Sequence, residues 1–317
     1  MQWTEIQFKI KTEDLEPAQA ILIMASASGY YVEDYSDMED EIAMSASPYL
    51  IDEGLLRKDR SFGVIHIFFN ANENPREILE FIEERLKASD ISTETTISKV
   101  DEEDWANNWK KYFKPFEIGD KLVIKPEWDE YIQQSDKRLI LNINPGMAFG
   151  TGTHATTKLC LLLLEKYICD NGPSVLDIGT GSGILSIAAV LLGADTVLGV
   201  DVDAYAVRTA RENALLNNVG EKARFQIGNL LNGVDNKEYD VICANIIAEV
   251  ILKLAGDVGQ NLTEGGIFIC SGIIDEYEEE VRCALFQNGF IELDVLRDGC
   301  WAAFAVQKAA KKQRSAT

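Results

Sequence analysis

The spacing of apolar and polar residues divides the chain into two parts with different element patterns. In the first hundred residues, strict alternation predicts strands and apolar spacing of three to four residues predicts helices. The predicted strands cover 3–11, 30–35, 62–69 and 92–100, and the predicted helices cover 15–28 and 75–87. This order predicts a small ferredoxin-like α+β domain over residues 1–100, with one face of its sheet free for a partner.

A connecting segment follows over residues 101–128. Trp105 and Trp109 lie four residues apart, with Tyr112 and Phe113 on the same side, which predicts a short helix whose aromatic face packs against a domain. We therefore expect a linker with a short helix over 101–128 and a second domain over 129–317.

Strands and helices alternate in the second domain. The predicted strands cover 175–177, 196–201, 224–227, 239–244, 267–271, 291–296 and 301–306. The last two strands have no helix between them and must pair as an antiparallel hairpin, whereas the earlier ones are parallel. A seven-stranded Rossmann-like α/β sheet with one reversed strand is typical of methyltransferases, while dinucleotide-binding dehydrogenases keep all strands parallel.

Three glycines at alternate positions, Gly179, Gly181 and Gly183, follow the first of these strands. A dinucleotide fingerprint has the spacing G-x-G-x-x-G, so that a pyrophosphate can sit on the helix N-terminus, whereas the spacing here is G-x-G-x-G. Asp177 would repel a diphosphate but suits a ligand with a cationic amino-acid portion. This glycine spacing together with Asp177 resembles S-adenosylmethionine (SAM) methyltransferases. The alternative is that the three glycines form an ordinary turn without a ligand.

Asp201 ends the next strand, where an acid accepts hydrogen bonds from ribose hydroxyls. NAD enzymes share this contact, so Asp201 indicates an adenosine nucleoside. The glycine spacing then favours SAM as the cofactor.

Residues 145–157 combine glycines, hydroxyls and an aromatic residue before a predicted helix over 158–167, which indicates a cofactor lid. Phe149 would cover the methionine or adenine portion, and Thr157 would cap the helix, hydrogen-bond the cofactor carboxylate, or do both. His154 could act as a general base, but a hydrogen bond within the lid is the simpler interpretation, so it is left out of the expected site.

Asn245 follows the fourth strand and is the candidate for orienting an amine acceptor as well as for binding the cofactor. A lysine amine with a pKa near 10.4 is almost wholly protonated at neutral pH, yet the attacking nitrogen needs a free lone pair. An amide oxygen can accept the amine hydrogens and aim that lone pair without acting as a strong base. A simple strand-end cap is the alternative role.

Composition and charge narrow the class of protein. The 317 residues are 46% hydrophobic and 26% charged, no apolar run reaches the length of a membrane span, and no signal peptide precedes the first strand, so we expect a cytoplasmic enzyme. The six cysteines are scattered, which predicts free thiols. With only two histidines, no His/Cys cluster predicts a metal site. The net charge of −22 opposes a nucleic-acid substrate and suits a basic protein, although it also serves solubility.

Taken together, these motifs resemble the PrmA family of bacterial ribosomal protein L11 methyltransferases. The shared features are Gly-Met-Ala-Phe-Gly-Thr-Gly-Thr-His in the lid, Asp-Ile-Gly-Thr-Gly-Ser-Gly-Ile-Leu in the glycine loop, the acids Asp201 and Asp203, Asn245, and the linker tryptophans Trp105 and Trp109. Asn144 and Ala155 stand where the family commonly has Asp and Pro.

The resemblance implies that Thr157, Gly179, Asp201 and Asn245 bind SAM. It also implies that the N-terminal domain recognises ribosomal protein L11 and that the enzyme methylates several of its lysines and its N-terminal amine. We expect a monomer that acts on L11 free of the ribosome.

Two rival functions suit the sequence less well. An enzyme that methylates nucleic-acid bases would continue after its asparagine with two prolines and an aromatic residue, whereas Ile246 and Ile247 follow here and leave nothing to stack a flipped base. A non-catalytic ribosome-assembly module would not need Asp177, Asp201 and Asn245 intact.

Overall fold

A computed structural model describes residues 2–25, 30–34, 61–69, 75–101, 113–131, 138–144, 152–168, 171–234 and 237–309. The chain divides into two compact units, residues 1–112 and residues 113–317. Within the described residues, no helix is both long enough and apolar enough to cross a membrane.

The first unit is a four-stranded antiparallel sheet with two helices. Its elements are β1 (Gln2–Lys11), α1 (Leu15–Ala25), β2 (Tyr30–Glu33), β3 (Phe62–Phe69), α2 (Pro75–Ala88) and β4 (Thr93–Asp101), and the strand order is β2-β3-β1-β4. Alternate residues of β1, such as Ile6 and Phe8, are fully buried in a core with Leu22 of α1 and Ile82 of α2. The described elements follow one another in the predicted order.

The opposite face of this sheet is not the free surface that we expected. His66 is 5% and Glu5 is 8% exposed, although both lie on that face. The Glu5 carboxylate accepts a hydrogen bond from Ser98 Oγ at 2.9 Å and lies 2.8 Å from His66 Nδ1, while His66 Nε2 lies 3.5 Å from Glu33. Burial raises the pKa of Glu5, but hydrogen bonds with His66, Ser98 and Gln7 outweigh it, and the net shift is downward. A row of buried and half-buried polar side chains therefore crosses all four strands.

The second unit begins with a small sheet of its own. It contains β5 (Phe116–Ile118), β6 (Leu122–Pro126) and β7 (Leu139–Ile143), with β5 antiparallel and β7 parallel to β6. Residues 113–128, which we expected to belong to the linker, are thus part of this unit. The predicted helix around Trp105 and Trp109 lies outside the described residues.

A seven-stranded sheet forms the centre of the second unit. Its strands are β8 (Ser174–Ile178), β9 (Thr196–Asp201), β10 (Ala223–Ile227), β11 (Tyr239–Asn245), β12 (Leu262–Ile274), β13 (Phe290–Asp298) and β14 (Trp301–Lys308). The order is β10-β9-β8-β11-β12-β14-β13, and β14 runs antiparallel to the other six strands of this sheet. The hairpin predicted for the last two strands is confirmed.

Helices cover both faces of this sheet, which explains why strands such as β8, β11 and β14 are buried along almost their whole length. The helices are α3 (Ala155–Tyr167), α4 (Ile184–Leu191), α5 (Ala204–Leu216), α6 (Ala248–Ala255) and α7 (Asp275–Gln287). On one face, Ile242, Phe268 and Phe304 of the sheet share a core with Ile251 of α6 and Val281 of α7. All five side chains are fully buried.

The direction of winding places a crevice at the carboxyl end of β8. From β8 the chain proceeds outward through β9 to β10, and then returns to the other side of β8 to form β11 and β12. Ligands of open α/β sheets bind where the strand order reverses in this way. The loops after β8, β9 and β11 meet there, and they carry the residues that the sequence singled out.

Candidate active site

The glycine loop after β8 adopts backbone conformations that favour glycine. Gly179, Gly181 and Gly183 have φ values of +73°, +53° and +84°. A Cβ on Gly179 would lie 2.6 Å from Ile246 Cγ2, and one on Gly183 would lie 2.9 Å from Ala210 Cβ of α5. Packing as well as conformation therefore requires glycine at both ends of this loop.

Asp201, which the sequence predicted to bind ribose hydroxyls, lies beside the glycine loop. Its Oδ2 accepts a hydrogen bond from the Gly181 amide at 2.9 Å, and its Oδ1 accepts one from the Asp203 amide at 3.0 Å. Each carboxylate oxygen has a further lone pair, so the half-buried group can also accept hydrogen bonds from two hydroxyls. Asp203 has a different role, because it caps α5 through the Tyr205 amide at 2.8 Å.

Asp177 lies beneath the loop, whereas we expected it to face the cationic part of a ligand. Its side chain is fully buried. Oδ2 accepts hydrogen bonds from Thr180 Oγ1 and Ser186 Oγ at 2.6 Å each, and Oδ1 accepts one from Cys243 Sγ at 3.5 Å. Burial raises the pKa of Asp177, and these hydrogen bonds partly offset that rise. The carboxylate therefore supports the loop from below.

Asn245 and Thr157 are in contact across the site. Asn245 Nδ2 donates a hydrogen bond to Thr157 Oγ1 at 3.2 Å. Because the amide is planar, this contact directs the carbonyl oxygen Oδ1 away from Thr157 and leaves it available as an acceptor. The sequence motifs indicated each residue separately, but they gave no sign that the two pair.

The helix that contains Thr157 begins earlier than predicted, at Ala155. His154, not Thr157, is its N-cap: the His154 side chain accepts a hydrogen bond from the Thr156 amide at 3.3 Å, and Nδ1 lies 2.7 Å from Thr156 Oγ1. An imidazole can replace the usual small N-cap side chains because its lone pair reaches the same amide. Thr157 lies in the first turn, so its proposed role as a cap is wrong, while its contact with the cofactor stays a prediction.

His154 is a neutral, buried histidine. Its ring packs edge-on against Trp301, with the ring centroids 4.9 Å apart. Burial lowers its pKa to about 4, and the nearby Lys158 charge acts in the same direction. Since Nδ1 is engaged by Thr156, this nitrogen does not serve as a proton acceptor for a substrate.

Ile246 passes between two glycines, one of which the sequence motifs did not indicate. Besides its contact with Gly179, its backbone oxygen would lie only 2.2 Å from a Cβ on Gly272 in β12. Gly272 has a φ of +89° and stands at a register shift between β12 and β14. A glycine inside an apolar strand signals such a bulge or close approach, so the pattern could have been recognised. This close approach determines where the preceding Asn245 lies.

Two exposed apolar side chains, also absent from the predicted site, flank Asp201. Ile227 ends β10 directly opposite Asp201, and Val202 follows Asp201 in the chain. They are 61% and 66% exposed, although they stand at the edge of a well-packed sheet. An exposed apolar pair beside a hydroxyl-binding carboxylate suits the flat apolar face of a nucleoside base.

Comparisons with known proteins agree with this geometry. The model of the ribosomal protein L11 methyltransferase (PrmA) family matches residues 2–309. Ribosomal protein L11 methyltransferases of Caldicellulosiruptor saccharolyticus and Clostridium perfringens are 43% and 42% identical over 97% and 94% of this chain, and over 100% and 96% of their own lengths. The chain belongs to the ribosomal protein L11 methyltransferase family. A crystal structure of ribosomal protein L11 methylase from Lactobacillus delbrueckii subsp. bulgaricus is 35% identical, with a TM-score of 0.58, and covers 63% of this chain and 100% of that one.

Membership makes this protein a SAM-dependent protein methyltransferase. The site suits that cofactor: the glycine loop leaves room for close backbone approach, Asp201 can accept hydroxyl hydrogens, and Val202 and Ile227 offer an apolar wall. Phe149 lies outside the described residues. Within the described parts of the chain, no three His, Cys, Asp or Glu side chains are grouped to hold a metal.

We predict that Gly272→Ala disables the enzyme. The new methyl group would force the Ile246 backbone aside and displace Asn245, and a displacement of about 1 Å at such a site costs on the order of 100-fold in rate. Gly289→Ala is the matched control, because Gly289 also has a positive φ, +82°, but a Cβ placed there would have no atom within 4 Å. Methyl transfer rates would be measured for both variants. Equal rates would contradict the role of this close approach.

We also predict that His154 makes stability depend on pH. The pKa of His154 is about 4 in the folded chain and near 6.5 in the unfolded chain. The folded chain therefore keeps its full free energy of unfolding above about pH 6.5 and loses up to roughly 3 kcal/mol of it as the pH falls toward 4. Asn in its place would cap α3 without titrating. Denaturant unfolding between about pH 7 and pH 4.5 should show the native chain losing stability relative to His154→Asn. Parallel curves would refute this assignment.

Proposed function

We propose that this protein transfers methyl groups from SAM to lysine side chains and the N-terminal amine of ribosomal protein L11. The observation that carries the proposal is the position of Asn245. It ends β11 next to the glycine loop, and its Nδ2 is held by Thr157, so that Oδ1 is left for an acceptor amine. An amide acceptor at this position suits nitrogen as the methylated atom.

The cofactor is held by the loops at the ends of the central strands. Gly179, Gly181 and Gly183 admit it, and Asp201 accepts hydrogen bonds from its ribose hydroxyls. Asp177 holds the loop in shape from below.

Two further residues contact the cofactor in this proposal. Thr157 hydrogen-bonds its carboxylate, and Phe149 covers its methionine or adenine portion. When bound, SAM supplies an electrophilic methyl carbon attached to a sulfonium sulfur.

The protein orients the acceptor amine and does not need a strong base. The attacking nitrogen must first lose a proton to solvent, because only the neutral amine has a free lone pair. Asn245 Oδ1 then accepts one amine hydrogen and aims the lone pair. His154 does not take this proton, since its Nδ1 accepts a hydrogen bond from the Thr156 amide and the neutral ring then carries its hydrogen on Nε2.

The two units have separate tasks in this proposal. Residues 1–100 form a ferredoxin-like domain that recognises L11, and the segment from 101 up to β5 connects it to a seven-stranded Rossmann-like catalytic domain. We place the enzyme in the cytoplasm, where it acts as a monomer on L11 before L11 joins the ribosome. The net charge of −22 favours encounter with a basic protein.

The test is methylation by the purified protein with radiolabelled SAM. Free L11 should be labelled, whereas rRNA and DNA should not. Asp201→Ala should weaken SAM binding by roughly 10- to 100-fold, because a charge-assisted hydrogen bond contributes about 1.5–3 kcal/mol. Asn245→Ala should lower the maximal rate by on the order of 100-fold.

The control is Asp195→Asn. Asp195 lies next to the opposite end of β9, where it pairs with Lys222 at 3.5 Å, so its loss should leave both SAM binding and rate unchanged. Label that enters only rRNA or DNA would replace this proposal with base methylation. SAM binding without any transfer would favour a non-catalytic module.

The division of tasks predicts the behaviour of a shortened chain. A protein comprising residues 113–317 should bind SAM with the affinity of the full chain, because all the proposed cofactor residues lie in that unit. It should fail to label L11. Isothermal titration with SAM would check folding and binding, and equal labelling by both forms would remove the recognition role of the first unit.

A further inference from the structure

Two asparagines near the end of α5 face the edge of β7. Asn213 lies in the helix and is 1% exposed, and Asn217 is the residue that caps its C-terminus. Their spacing of four residues puts both amides on one side of the helix. Neither residue belongs to the sequence motifs described above.

Asn217 acts as a substitute for a neighbouring strand. Its Oδ1 accepts a hydrogen bond from the Asn142 amide at 2.8 Å, and its Nδ2 donates to the Asn142 carbonyl at 2.6 Å. These are the two hydrogen bonds that a paired strand would make with the same residue. Asn217 therefore satisfies the edge of β7 and makes no hydrogen bond to the glycine loop.

Asn213, by contrast, joins β7 to the glycine loop. Its Oδ1 accepts a hydrogen bond from the Asn144 amide at 2.8 Å, and its Nδ2 donates to the Ser182 carbonyl at 2.8 Å. Ser182 lies between Gly181 and Gly183. A single buried amide thus satisfies one backbone donor and one backbone acceptor from two separate segments, which an ionised aspartate of the same length cannot do.

The glycine loop is held from three sides by side chains. Asp177 holds Thr180 from below, Asp201 holds the Gly181 amide, and Asn213 holds the Ser182 carbonyl. Loss of the third contact would remove the donor that Asn213 supplies to the buried Ser182 carbonyl and would weaken the hold on the peptide between Ser182 and Gly183, whose amide donates to the Thr180 carbonyl at 2.9 Å.

We propose that Asn213 is a positioning residue for SAM: its side-chain amide sets the conformation of the glycine loop through the Ser182 carbonyl. This inference rests on the proposed function in one respect, namely that SAM binds at the glycine loop. Asn213 does not touch the reacting atoms. Its effect falls on SAM affinity.

The test compares two variants at position 213 with a matched variant at position 217. Asn213→Asp keeps the acceptor for Asn144 but loses the donor toward Ser182 while it is ionised. Dissociation constants for SAM, measured by isothermal titration on the full chain, should rise about tenfold at pH 8, equivalent to about 1.4 kcal/mol. Protonation of the buried carboxyl restores a donor, so the ratio to the native constant should fall by at least about threefold at pH 6.

Asn213→Ser is the second variant, because its hydroxyl is too short to reach both backbone groups. It should weaken SAM binding about tenfold at either pH, with no recovery. Asn217→Asp should lower the melting temperature, since it loses its donors to the Asn142 and Asn213 backbone carbonyls, but it leaves the Asn213 side chain in place and should change SAM affinity by less than about twofold. The Asn217→Asp variant distinguishes positioning from a general loss of stability, because it is expected to lower the melting temperature without weakening SAM binding.

The outcomes separate this inference from the proposed function. A native chain that binds no SAM would overturn the proposed function itself. Binding of SAM by the native chain together with unchanged affinity in the folded Asn213→Ser variant would overturn the role of Asn213. Equal losses of affinity at positions 213 and 217, without recovery in Asn213→Asp at pH 6, would also overturn it.

Discussion

The active site depends on a carboxylate that water does not reach. Asp177 stands on the central strand β8, and its hydrogen bonds connect the glycine loop through Thr180, helix α4 through Ser186, and strand β11 through Cys243. A buried carboxylate is costly unless donors surround it, so these three contacts must form together. Their geometry brings the loop, the helix and the neighbouring strand into register before any ligand binds.

Close approach of the Ile246 backbone to two glycines positions the remaining part of the site. Ile246 can pass over the end of the sheet because Gly179 and Gly272 present no side chain to it. Its path places Asn245 beside Thr157, and the hydrogen bond between them orients the amide. The proposed catalytic group, Asn245, is therefore positioned by two glycines that admit the backbone and by its hydrogen bond with Thr157. His154 stabilises the start of the helix that contains Thr157.

Local patterns were sufficient for much of this architecture. The apolar strand before Gly179 and the hairpin at the end of the chain lie where periodicity placed them, because buried strands and tight turns are encoded within a few residues. Asp201 lies beside the glycine loop because the carboxyl ends of adjacent parallel strands share one edge of the sheet, and its contact with a ribose stays a prediction. Local patterns failed where a role depends on a distant partner, as in the burial of Asp177 and of His66. They also failed for His154, because histidine lies outside the common preferences for a helix N-cap.

The sequence by itself determined the order of the described elements, the cofactor class and the family, because glycine spacing, strand-end acids and periodicity are local properties that survive without coordinates. Only the tertiary structure decided which side chains face a ligand and which support those that do. Asp177 supports the loop, Gly272 admits the Ile246 backbone, and Asn213 ties β7 to Ser182. The physical reason is that burial and hydrogen bonding depend on two residues at once. The two residues of each such pair lie between 3 and 69 positions apart in the chain, or they meet only when strands pack side by side.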